Sequence, residues 1–291
     1  MADNTDPDTA LIENYQGFFR EDLLKNKVAI ITGGATGIGF TIAEVFMRHQ
    51  CDTVIASRKI DKLKKAAKIL EDATGRRCLT VVMDVRKPQE VVHMVEQALS
   101  HFGKIDILVN NAAGNFLAPA NSLSFNAFKT VVDIDTLGTF NATKAVYDKY
   151  MKDHGGVILN ISATLQYKGT IFQTHAASAK AAIDAMTRSL AVEWGGQGIR
   201  INCLAPGPIE NTEGIRKLAG LALTDTKGRY IPLGRMGTRE EIGECALFLA
   251  SGASSFITGT VIVVDGGSWM TSENSMVQAE QVLEQMSKSR L

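Results

Sequence analysis

The chain has 291 residues, of which 45% are apolar and 21% charged, enough to bury a sizeable core and too apolar for a disordered chain. Its 31 Lys and Arg balance 31 Asp and Glu, so it lacks the excess of positive charge that nucleic acid or an anionic membrane demands of a main partner.

Residues 1–22 are polar and begin MADNTDPDTA, an acidic start that fits neither a secretory signal nor a mitochondrial presequence. A loosely held extension is expected there. From residue 23 to 270 one rhythm repeats: a β-branched run, a glycine or polar turn, then an amphipathic stretch. Strands are predicted at 28–32, 53–57, 79–84, 105–110, 157–161, 199–204 and 261–264. Most are continuous apolar runs, the mark of parallel strands covered on both faces. Helices are predicted between them, at 38–48, 88–102, 125–152 and 176–194. In the first, Ile38, Ile42, Val45 and Phe46 recur at helical spacing; the last two are long and alanine-rich, suited to close packing. No linker interrupts the series. The expectation is one α/β domain, a doubly wound parallel sheet of about seven strands with helices on both faces. Residues 271–291 form a polar tail. No apolar run reaches the length of a membrane span. Cys51, Cys78, Cys203 and Cys245 form no CxxC pair and no metal-ligand spacing, so they read as reduced thiols, with no metal site expected.

The first turn carries the clearest chemistry. Gly33, Gly34, Ala35, Thr36, Gly37, Ile38 and Gly39 follow the first strand and open the first helix. Glycines there let backbone N–H groups approach a pyrophosphate at a helix N-terminus. The second strand ends in Ser57, Arg58 and Lys59. It lacks the carboxylate that would bind the ribose diol of NAD, and the basic pair suits the 2′-phosphate of NADP.

The spacing TGxxxGxG resembles the short-chain dehydrogenase/reductase family, and further likenesses follow in the family's order. Asp84, with Val85 after it, matches the acidic residue beside adenine. Asn110-Asn111-Ala112-Ala113-Gly114 resembles the NNAG motif with one extra alanine. Asn160-Ile161-Ser162 resembles the start of the serine motif. Pro206, Gly207, Pro208 and Ile209 match the loop over the nicotinamide, and Asp265-Gly266-Gly267 matches the end of the last strand. The likeness runs from about residue 27 to 267. It implies a Rossmann domain binding NADPH or NADP⁺, with Asn111 and Ala112 among the cofactor contacts and Lys180 on the nicotinamide ribose.

The catalytic positions depart from the family's Asn, Ser, Tyr and Lys. Lys180 is kept, but the Tyr position is Ala176, the Ser position Ala163 and the Asn position Asp135. Reducing a ketone needs a proton donor at the alkoxide, the Tyr's task. Hydride added to the far end of a conjugated dienoyl thioester instead makes an extended enolate, which is quenched on carbon and needs donors near the thioester oxygen. The departures resemble the branch of the family that reduces 2,4-dienoyl-CoA with NADPH to trans-3-enoyl-CoA, in its peroxisomal form. The mitochondrial form carries a Tyr some fifteen residues before its Lys, where Leu165 stands here. Tyr167, nearby, reads as an exposed loop residue. Two alternatives are a trans-2-enoyl-CoA reductase, expected to keep the Tyr, and a non-catalytic NADP-binding scaffold.

On this reading Asp135 protonates the dienolate, directly or through water, as a carboxyl that an apolar pocket lets carry a proton near neutrality, with Lys180 opposing. Asp265 joins a relay or serves the strand end. Phe116, Ser124, Phe125 and Asn126 line the acyl and pantetheine path, and Arg58, Arg86, Arg216 and Lys217 are candidates for the CoA phosphates. His175 reads as a packing or substrate-shape residue. The final Ser289-Arg290-Leu291 resembles the peroxisomal S-K-L address, which implies an import receptor as partner and the peroxisome as location. By family analogy a homo-oligomer is expected.

Overall fold

Strands β1 (Val28–Thr32), β2 (Asp52–Ser57), β3 (Cys78–Val82), β4 (Ile107–Asn110), β5 (Gly156–Ile161), β6 (Ile199–Pro206) and β7 (Val261–Val264) form one parallel sheet in the order β3-β2-β1-β4-β5-β6-β7. The structure, a computed structural model, describes residues 6–212, 214–216 and 231–271. Lys217 and the tail with Ser289-Arg290-Leu291 therefore lie outside the described residues. Each predicted strand is present, with two trimmed ends. The third strand stops at Val82 because the Asp84 amide turns to the Glu90 carboxylate, 2.9 Å away. The fourth starts at Ile107 because the Asp106 carboxylate is taken up by the Val28 amide and by Lys27 and Lys104.

Alternation along the strands divides the apolar side chains between two layers. Ala29 and Ile31 meet α1 (Gly37–Arg48), α2 (Ile60–Thr74) and a helix at Arg239–Ala250 through Phe40, Leu63 and Leu247. Ile30, Val54 and Leu108 meet the other layer through Met94, Val146 and Trp194. Those three come from α3 (Pro88–Phe102), from α4, which runs over 125–154, and from α6 (Thr174–Trp194), which follows the short α5 (Leu165–Lys168). The helix at Arg239–Ala250 is α7, and α8 (Ser268–Thr271) follows β7. Among the described residues no helix is long and apolar enough to cross a membrane. Burial pushes the Cys203 and Cys78 thiols up to about 12 and Cys245 to about 11, so these thiols are poor nucleophiles.

Two elements differ from the sequence expectation. The long helix α4 is not regular: π-helical turns at Asp133–Leu137 and Tyr147–Met151 interrupt it. Just after the first, Gly138 lets the helix approach Val85, since a Cβ there would lie 2.7 Å from Val85 Cγ2. The N-terminal segment, expected to be loose, is docked. Leu11, Ile12, Tyr15, Phe19 and Leu23 pack on the first layer and Leu24 is fully buried. The Ile12 amide donates to the buried Glu44 carboxylate at 3.1 Å, Tyr15 Oη donates to Glu244 at 2.5 Å, and Arg48 lies over the Tyr15 ring.

Candidate active site

The strand order reverses between β1 and β4, and ligands of open parallel sheets bind at the carboxyl ends beside such a switch. The glycine turn and the asparagine loop meet there. Thr32 Oγ1 accepts from the amides of Asn111 and Ala112, both at 3.0 Å, while Asn111 Nδ2 donates to the carbonyls of Thr32 and Gly33. A Cβ at Gly39 would lie 2.4 Å from Asn111 Nδ2 and 2.7 Å from the Gly33 oxygen. Gly33 and Gly37 hold positive φ, and the space beside Gly37 is open. A backbone cradle thus opens at the N-terminus of α1, the shape and dipole that a dinucleotide's pyrophosphate requires. Beyond it, Arg58 and Lys59 are exposed at the end of β2.

Asp84, expected beside the adenine, does not stand alone. Arg86 forks onto its carboxylate, with Nε at 2.9 Å and Nη2 at 2.5 Å, and this guanidinium holds the carboxyl below the usual carboxylate range. Arg86, a phosphate candidate, is therefore tied to Asp84. Arg216, another phosphate candidate, pairs with Asp8 of the N-terminal segment. The Val85 carbonyl accepts from Asn141 Nδ2. Over the nicotinamide side, the Pro206–Ile209 turn is clamped by Gly237, whose amide donates to Pro208 O and whose carbonyl accepts from Glu210 N.

The centre itself is small and buried. Lys180 Nζ lies 3.1 Å from Asp135 Oδ2 and donates to Ile161 O at 3.0 Å. An ammonium has three donors, so a third remains for a ribose hydroxyl. Asp135 Oδ1 accepts from the Gly114 amide at 2.7 Å. The residue sits within the π turn and is only 1% exposed; such turns recur where a helix presents a functional side chain. The expectation of a carboxyl in an apolar pocket needs correction, because two donors face it. At 1% exposure Asp135 can serve substrate only through Lys180 or a bridging water. Ala176 is buried against Val131, Ala179 and Leu165, so its own side chain puts a methyl group among hydrocarbon where the family pattern has a Tyr.

Other expected site residues separate. Both oxygens of Asp265 are committed, Oδ1 to the Gly267 amide at 2.8 Å and Oδ2 to the Trp269 amide at 2.7 Å. A Cβ at Gly207 would lie 2.3 Å from Asp265 Cβ, so this aspartate anchors the turn after β7 against the Pro206–Ile209 loop. Ser124 caps α4 by accepting from the Ala127 amide, the Asn126 carbonyl accepts from Thr130, and Phe125 is 98% exposed. Phe116, 36% exposed, follows by two residues the Gly114 whose amide holds Asp135. Tyr167 is not the exposed loop residue expected, since its hydroxyl donates to Asp184 Oδ2 at 3.3 Å and its ring meets Trp269 edge-on.

Sequence reasoning passed over two groups. Asp184, four residues after Lys180 on α6, is buried and accepts from Gln166 Nε2 at 2.7 Å; its helical spacing from Lys180 was the available signal. Asn115 Nδ2 donates to Gln173 Oε1 at 2.7 Å across 58 residues of chain, a contact with no local signature.

Residues 33–268 match the family model described as enoyl-(acyl carrier protein) reductase. The chain is 59% identical over 267 residues to the peroxisomal 2,4-dienoyl-CoA reductase, (3E)-enoyl-CoA-producing, of Danio rerio, covering 91% of this chain and 89% of that protein. It is 43% identical to the enzyme of the same name from Arabidopsis thaliana, over 87% of this chain and 88% of the relative. Among solved structures, a short-chain dehydrogenase of Bacillus anthracis superposes with a TM-score of 0.79 at 41% identity, covering 87% of this chain and all of that one.

Proposed function

The chain belongs to the short-chain dehydrogenase/reductase family, and from that premise we propose that it is a peroxisomal NADPH-dependent 2,4-dienoyl-CoA reductase that forms trans-3-enoyl-CoA. The observation that carries this reading is Ala176, buried at the Tyr position while Lys180 and its contact with Asp135 are kept. The protein retains what positions a nicotinamide cofactor and lacks the phenol that protonates a carbinol oxygen. A reaction whose proton goes to carbon is the one that tolerates the loss.

When bound, the reduced dinucleotide supplies a hydride, and the basic Arg58 and Lys59 favour its 2′-phosphate form. Lys180 holds the ribose and fixes the reacting face. With hydride at the δ-carbon of the dienoyl thioester, negative charge spreads to the thioester oxygen. A proton delivered to the α-carbon then leaves the double bond at C3. Asp135 handles that proton through Lys180 or a water. Phe116 lines the acyl path, and Arg86, whose guanidinium is bonded to Asp84, is the candidate for the CoA phosphates.

Ser289-Arg290-Leu291 serves as the address that the peroxisomal import receptor reads. A homo-oligomer in which exposed apolar side chains such as Phe125, Val192 and Phe256 are covered belongs to the same proposal.

The test is direct. Purified protein is mixed with NADPH and either 2,4-hexadienoyl-CoA or 2-hexenoyl-CoA, and NADPH absorbance is followed. Oxidation with the diene alone is expected, with a 3-enoyl-CoA product on chromatography. Equal oxidation with the 2-enoyl substrate supports an enoyl reductase, and cofactor binding with no turnover of either supports a scaffold.

A further inference from the structure

The loop after β4 and the start of α6 are laced together. The Ala118 amide donates to Phe172 O at 3.0 Å, Asn115 Nδ2 to Gln173 Oε1 at 2.7 Å, and His175 Nε2 lies 2.9 Å from Phe116 O. The His175 and Phe116 rings are stacked, 4.3 Å between centroids and 23° between planes. His175 is fully buried, and its Nδ1 has no partner.

This arrangement defines the histidine's state. A carbonyl oxygen only accepts, so Nε2 carries the hydrogen and Nδ1 keeps a lone pair in the neutral ring. A second proton would place a cation in a buried site with no acceptor at Nδ1. Burial accordingly pushes this imidazole below its ordinary value, against the opposing pull of the Phe116 carbonyl and of Asp135. The ring is thus neutral, flat and pinned at one edge, a fixed backing for one face of Phe116.

We infer that His175 is a positioning residue that fixes Phe116 as a rigid aromatic wall for the planar conjugated acyl chain. Phe116 is 36% exposed although one face is covered by His175, so the uncovered part of its ring is available to a ligand. It follows Gly114, whose amide holds Asp135, by two residues, which places the wall next to the proton-handling pair. A flat conjugated system lies well on a flat ring, offset-stacked. A bent, saturated chain gains less there. A phenylalanine free to turn would lose part of that gain to ordering. The bond to Phe116 O fixes the backbone and the stack fixes the side chain, two constraints from one residue. The inference rests on the dienoyl-CoA reading of the site.

The test is a double-mutant cycle with His175→Leu and Phe116→Ala, read by KM and kcat for a 2,4-dienoyl-CoA and by calorimetric binding of that thioester to the NADP⁺-loaded protein. Each single change is expected to raise KM and weaken thioester binding about tenfold, with kcat within about threefold and NADP⁺ affinity unchanged. The double variant is expected to be no worse than the worse single one, because both remove the same wall. His175→Gln, whose amide still donates to Phe116 O, is expected to recover part of the loss. If the leucine variant does not fold, glutamine paired with Phe116→Ala completes the same cycle. Additive losses near a hundredfold overturn the inference, as does a fall in kcat at unchanged KM. Wild-type protein that ignores dienoyl-CoA sinks the functional reading; an active wild type with additive variants sinks this inference alone.

Discussion

Asp135 and Lys180 show how one departure from the family pattern alters what a retained neighbour does. In the family pattern the residue at position 135 is an amide; here it is a carboxylate 3.1 Å from the lysine. Two requirements fall on it. It neutralises an ammonium that is only 8% exposed, and in the proposed mechanism it handles the proton for which Ala176 has no group. Replacing it by alanine removes both. Asp135→Ala is expected to lower turnover of dienoyl-CoA by at least about a hundredfold. Because an uncompensated buried charge remains, stability is expected to drop by about 3 kcal/mol. NADPH affinity is expected to stay near normal, since the cradle and the remaining Lys180 donors are untouched. Stopped-flow turnover, cofactor titration and thermal melts measure the three separately, and unchanged turnover assigns the proton to another group. The exchange at 135 was legible because Lys180, Ala176 and the glycines lie in local motifs whose spacing survives in the chain. The contacts of Asp135 were not legible. Its donors are an amide 21 residues before it and an ammonium 45 residues after it, and no local pattern records that they meet.

At the scale of elements, periodicity located the strands and the four helices bounded from it, yet set no bounds for α2, α5, α7 or α8 and missed two features that depend on tertiary contact. A π turn changes the repeat by one residue over a single turn, too short a span to alter the apolar pattern of α4. The N-terminal segment was misread because polar residues dominate it. Its apolar side chains, Leu11, Ile12, Tyr15, Phe19 and Leu23, are irregularly spaced and find α1 and α7 only in the fold. That docking covers Glu44, whose carboxylate accepts from Ile12 N and Arg48, and whose burial raises its carboxyl above the usual range. Deleting residues 2–20 is expected to cost on the order of a few kcal/mol from lost apolar burial, several degrees in melting temperature. The cofactor cradle lies at the opposite end of α1, so NADPH affinity is expected to stay within about twofold. Differential scanning calorimetry with and without cofactor checks both. An unchanged melting temperature would mean that the segment contributes no stability to the fold.

For the whole molecule, continuous apolar strands and a glycine turn after the first were enough to specify a parallel, doubly wound sheet, since the central strands β1, β2 and β4 are buried on both faces under helices, while the edge strands β3 and β7 are only partly covered. Chemistry and address are separate on that frame. The cradle, the asparagine loop, Lys180 and the loop after β6 span residues 33–212, and the last described helix ends at Thr271. The proposed terminal address is read by a receptor from the chain end, whereas the proposed site is built from residues that precede it by more than seventy positions. Deleting residues 289–291 is therefore expected to shift a fluorescently tagged protein (tag at the N-terminus) from peroxisomes to cytosol while its dienoyl-CoA reductase activity in extract is unchanged. Appending a short polar peptide after Leu291 is expected to act in the same way as the deletion, because it buries the address inside the chain without removing a residue. If import persists in both variants, the address lies elsewhere in the sequence; if activity falls with import, the tail belongs to the catalytic domain after all.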